Sequence, residues 1–160
     1  MKSLQKLLSI SMLAIAVCVA SCSKSEVEPE PADQVIGTYS GTTYTQSISG
    51  VGQTLDLTNS LIKDNLVISF DLTKKSSNVL TLILNISQRD SLGVMQPDNI
   101  TYDNVELKTL SSGSFEMLNE GVRLGEINSK TLTFEESFED TDEAGNVAEV
   151  NIKIEATKNN

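Results

Sequence analysis

The chain has 160 residues, no histidine, no tryptophan and a formal net charge of −10. Without histidine there is no Ser-His-Asp triad, no Cys-His pair and no histidine-based zinc site, and the acidic balance argues against nucleic acid and anionic lipid surfaces as partners. Both cysteines, Cys18 and Cys22, stand near the amino terminus, so the body of the chain has no disulfide framework, thiolate nucleophile or cysteine metal site.

Lys2 and Lys6 introduce an apolar run over residues 7–20, interrupted only by small serines and Cys18, and Val19-Ala20-Ser21-Cys22 follows. A positive start, a short apolar core and small residues before the cut describe a secretory signal. The run is shorter than the roughly 20 residues that a membrane-spanning helix needs. Val19-Ala20-Ser21-Cys22 resembles the lipobox of bacterial lipoproteins. That resemblance implies cleavage before Cys22, a diacylglyceryl group on its sulfur and, in most Gram-negative cells, a further acyl chain such as palmitate on the new amino group. Two or three acyl chains anchor stably where one binds only reversibly. The expected location is the outer membrane, with the protein held there by lipid.

Once residues 1–21 are removed, ten basic residues remain against 22 acidic ones, a net charge of −12. Residues 23–33 are rich in charge, proline and small groups. They cannot bury enough apolar surface to offset their ordering entropy, and the lipidated Cys22 with its tether is expected to occupy 22–33 in an extended state. Lys24, Glu26 and Glu28 fit a solvated linker. They also resemble the signal that sends some Gram-negative lipoproteins to the outer face of the outer membrane.

From residue 34 to 158 the chain reads as strand after strand. Leu66, Ile68, Phe70 and Leu72 alternate with more polar neighbours, and so do Leu80, Leu82, Leu84 and Ile86, and Val150, Ile152, Ile154 and Ala156. Period two places one face inward and one in water. Leu132, Phe134 and Phe138 share a parity with Glu136, so that strand alternates less cleanly. Strands are expected at 35–46, 53–59, 64–74, 78–88, 100–110, 113–119, 122–127, 130–139 and 146–157. Turn signals such as Gly50-Val51-Gly52, 74–78, Gln96-Pro97-Asp98-Asn99, Ser111-Ser112-Gly113 and 143–146 separate them. The connections are too short for crossover helices, so neighbouring strands should be antiparallel. The expected fold is all-β, an antiparallel up-and-down arrangement of about eight strands closed into a barrel or stacked as a sandwich.

Gly37-Thr38-Tyr39, standing just after the tether and followed by Gly41, resembles the Gly-x-Trp that opens the first barrel strand of lipocalins and their calycin-like relatives, with Tyr in the place of Trp. The resemblance implies a calycin-like barrel over residues 34–157, with the aromatic ring packed across the closed end. A barrel of eight strands is just wide enough to be filled by side chains or to hold one small ligand. Tyr39, Tyr44 and Tyr102 are the candidate side chains near a cavity mouth.

No phosphate-binding or dinucleotide glycine loop is present. Asp140, Asp142 and Gly145 imitate positions 1, 3 and 6 of a calcium loop. Ala144 and Asn151 stand where a ligand and the bidentate Glu are required, so a charged hairpin tip is the better account. No cofactor is expected. Three roles follow: a non-catalytic, lipid-anchored envelope protein that binds a small apolar ligand; a packed barrel that docks another envelope protein; or, least supported, a hydrolase working through two carboxylates.

Overall fold

The computed structural model describes residues 29–110, 113–141 and 145–160. The expected signal segment, Cys22, the expected tether up to residue 28 and Asp142 lie outside the described residues. Nine strands follow one another: β1 (Gly37–Ile48), β2 (Val51–Asp56), β3 (Leu66–Lys74), β4 (Val79–Arg89), β5 (Met95–Thr109), β6 (Phe115–Asn119), β7 (Val122–Ile127), β8 (Thr131–Thr141) and β9 (Val147–Lys158). Two short helices complete the chain, α1 (Pro31–Val35) and α2 (Ser60–Lys63). Every strand pair is antiparallel. The ring β1-β3-β4-β5-β6-β7-β8-β9 closes where β9 pairs with β1, and β2 is an additional strand on β1.

The register explains why the alternating residues make one core. Phe70 faces Leu84, Leu72 faces Leu82, and Phe134 faces Ile154 across their ladders, so paired apolar side chains share the inner surface. Tyr39, Phe70, Leu80, Leu82, Met117, Leu132, Phe134 and Ile154 are all fully buried there. Ring contacts order the centre: Phe70 and Phe134 lie 5.6 Å apart, and Tyr102 and Phe134 5.7 Å apart, both tilted.

The two ends of the barrel differ. At one end lie the turns β3–β4, β5–β6 and β7–β8 together with α1, which plugs it. Pro31 starts this helix, where its missing N–H costs nothing. Ala32 and Val35 point inward and are buried, and the Ala32 N–H donates to the Ser77 carbonyl. Lys74 Nζ holds Glu30 and Asp33 at 2.7 and 2.8 Å. Residues 31–33, expected to be extended, instead belong to α1, because Ala32 and Val35 find apolar surface on the barrel that composition alone does not reveal.

At the other end the wall is incomplete. β6 pairs with β5 only over Val105–Thr109, and β7 pairs with β8 only over Leu132–Phe134. Above those points β5 and β8 have no partner on their facing edges among the described residues. On the opposite side β1 leaves β3 after Ser40 and pairs with β2 from Thr43 onward. Gly41 permits the departure: a Cβ there would stand 3.0 Å from the Ile68 carbonyl oxygen and 3.0 Å from Leu57 Cδ1. Leu57, buried, and Ile62 of α2 fill the seam. The Asn59 side chain caps α2 by accepting from the Leu61 N–H.

Candidate functional site

The incomplete end forms a mouth whose inner surface is defined by register. Across β2, β1, β9 and β8, Val51, Ile48, Val150 and Phe138 stand in one row, because each pairs with the next. They share the face of Ile154 and Phe134, two ladder steps deeper. Val150 is 3% exposed, while Ile48 and Phe138 remain 49% and 43% exposed on either side of it. Across the mouth, β4 and β5 present Ile86 and Ile100, the latter 42% exposed. An apolar lining that still meets water marks an interaction surface more often than a packing accident. A hollow of about 260 Å³, lined by Gln46, Ile48, Val51, Gly52 and Gln53, lies along the β1–β2 side. A second hollow of similar volume sits on the outer wall beside Thr45, Ser47, Glu135, Asn151 and Lys153. Ile152 also lines it, among side chains that are otherwise polar or charged.

Below the apolar row lies a mixed one, in which the polar Gln53, Gln46 and Glu136 flank Ile152. Two tyrosines form its floor. Tyr44 pairs with Ile154, and its hydroxyl donates to Gln46 Oε1 at 3.3 Å. Tyr102, opposite Leu82, reaches across the gap between β5 and β8, where its hydroxyl donates to the Glu136 carboxylate at 3.4 and 3.5 Å. Burial pushes the Tyr102 hydroxyl up to about 12, reinforced by the Glu136 charge and hydrogen bond. Burial also raises Tyr44. Both phenols stay protonated at neutral pH and serve as donors.

The structure separates the three candidate tyrosines. Tyr44 and Tyr102 belong to the mouth. Tyr39 lies at the plugged end, fully buried, with its hydroxyl shared between the carbonyls of Val35 at 2.9 Å and Asn128 at 3.1 Å. Its ring takes the position that the Gly-x-Trp resemblance implies, and so it cannot touch a ligand at the mouth. Asp140 lies within β8 opposite Ala148 and is exposed. Among the described residues no group of three or more acidic or thiol side chains is arranged to hold a metal ion.

Glu136, Gln46, Ile48, Ile100 and Phe138 were not singled out from the sequence as site residues. The signal for one of them was present, since Glu136 shares the parity of Leu132, Phe134 and Phe138 and so breaks the alternation of β8. Comparison with protein-family models, curated proteins and solved structures returns no match for this chain.

Proposed function

We propose that this chain is a non-catalytic, lipid-anchored protein of the bacterial outer membrane whose calycin-like barrel binds a small apolar ligand at its open end. The observation that carries the reading is the row Ile48–Val150–Phe138 facing Ile100, hydrocarbon presented to water above a core that is already filled. The anchor rests on the lipobox resemblance at Cys22. The described chain enters at the plugged end, where Pro29, Glu30 and Pro31 border Thr109 and Phe115. A lipid at Cys22 would therefore hold the plugged end toward the membrane and leave the mouth facing away from it, supplied from the aqueous side. The absence of histidine and of any thiol in the domain supports a binding role over a catalytic one.

A second reading, docking of another envelope protein, draws support from the free upper edges of β5 and β8, which offer backbone groups to an added strand. Native mass spectrometry of the mature protein from its own host distinguishes the two. The expected result is a small-molecule adduct that is lost when Ile48 and Phe138 are both changed to Asp. A bare mass accompanied by a bound polypeptide would favour docking. Cys22→Ala is expected to move the protein from the membrane to the soluble fraction, and retention in the membrane would refute the anchor.

A further inference from the structure

We propose that the mouth selects an organic cation, an amine or quaternary ammonium group carried on a hydrocarbon body. The inference rests on the ligand-binding reading above and names the ligand's chemistry. The inward positions of the open half carry three carboxylates, Glu136 and, at the rim, Asp140 on β8 and Asp98 on β5, the last opposite Ile86. Among the described residues no lysine or arginine occupies an inward position there. The nearby cations are held elsewhere: Lys153 pairs with Glu155 on the outer face at 3.0 Å, and Arg89 donates to the carbonyls of Asp64 and Gly93. Arg123 is held on the outer wall by Glu135, Glu116 and Glu126.

The vertical order of the site matches an amphipathic cation. Hydrocarbon meets the exposed apolar rim, and beneath it Glu136 stands half-buried beside Tyr102. A charge in such partly desolvated surroundings interacts more strongly than one in open water. An anionic head group would approach Glu136 with no compensating cation, and a neutral one would gain from the rim alone.

The test uses the mature chain made soluble by Cys22→Ala and three probes of equal chain length, octyltrimethylammonium, octanol and octanoate, each below its aggregation concentration. Isothermal calorimetry is expected to show the cation binding about tenfold more tightly than octanol, with octanoate weaker than both. Glu136→Gln should shrink the cation-to-octanol ratio to less than about threefold while octanol binding persists. Glu106→Gln removes the same charge from the exterior of the closed end and should leave the ratio unchanged. Equal affinity for the three probes overturns the cation inference and leaves the apolar site standing. A ratio that survives Glu136→Gln, or that falls equally with Glu106→Gln, overturns the assignment to the mouth. Failure of all three probes to bind overturns the ligand-binding reading itself. The ranking of probes on the unchanged mouth needs no folded variant, so a misfolded Glu136→Gln protein would not shelter the idea.

Discussion

Gly125→Ala is expected to be the most damaging single-methyl change in the domain, lowering stability by on the order of 3–5 kcal/mol. Gly125 is buried in β7, between Met117 of β6 and Phe134 of β8. Its φ is +127°, a region that residues with a side chain rarely enter. An added Cβ would stand 2.0 Å from the Thr133 carbonyl oxygen, 2.9 Å from its carbon and 3.2 Å from Phe134 Cα. All three are backbone atoms of the neighbouring strand, so no side chain can rotate away to make room. Relief requires β7 and β8 to part, and their ladder contains only Gly125–Phe134, Glu126–Thr133 and Ile127–Leu132. This short ladder completes the barrel at its closed half, directly over the fully buried Phe134 and Leu132. Total stabilities of about 5–15 kcal/mol leave little margin for such a loss. Urea unfolding followed by circular dichroism measures it, with a fall in Tm on the order of 10 °C or more as a second readout. A loss under about 1 kcal/mol would show that the two strands separate without cost and that this ladder does not hold the barrel shut.

The barrel was legible in the sequence because its strands are long and their inward residues large. Leu80, Leu82 and Leu84 on β4 and Ile68, Phe70 and Leu72 on β3 repeat at period two, and all six are buried. The extension of β5 down to Met95 was hidden by Pro97-Asp98-Asn99, which reads as a turn. Proline is tolerated in a strand that lacks a partner on one edge, and β5 has none beside Pro97 except β4. The helix α1 was hidden for a different reason. Five residues carry no period, and only the plugged end of a folded barrel gives Ala32 and Val35 something to cover. The mouth was the least legible part, because it depends on which strands stop short. The length of the β6–β7 hairpin decides that Tyr102 and Glu136 face each other across a gap, and no local pattern in β5 or β8 records it. What β8 did record was a carboxylate at an inward position. A binary pattern breaks at a position like Glu136 when the inner face of a strand leaves the core and enters a site.

Tyr39 closes the opposite end, and its removal should release the plug. Tyr39→Ala takes a fully buried ring from among Val35, Phe70 and their neighbours. The expected loss is about 3–5 kcal/mol, the usual cost of truncating a buried aromatic side chain. Tyr39→Phe isolates the hydroxyl. Its one proton serves the Val35 and Asn128 carbonyls, which tie α1 to the β7–β8 turn, and deleting it should cost about 1–2 kcal/mol. Lys158 Nζ stands 5.7 Å from the ring centroid, and that contact survives in Phe while disappearing in Ala. The phenol also gives the substitution a pH signature. Burial pushes Tyr39 up to about 12 from its usual value of 10. The folded state therefore holds this proton more tightly than the unfolded chain does. The associated stability is fully present below pH 10 and falls as pH rises toward 12. Tyr102, raised to about 12 as well, contributes a similar alkaline loss. Tyr39→Phe should thus lower the urea midpoint at pH 8 yet flatten its decline between pH 10 and 12, with the shares of Tyr102 and Tyr44 remaining. Hydrogen exchange at the Ile36 amide, which donates to the Ala32 carbonyl, reports on α1 directly and should accelerate in both variants. If Tyr39→Phe kept both the midpoint at pH 8 and the exchange rate at Ile36, the hydroxyl would not be what fastens the plug, and the closed end would be held by ring packing alone.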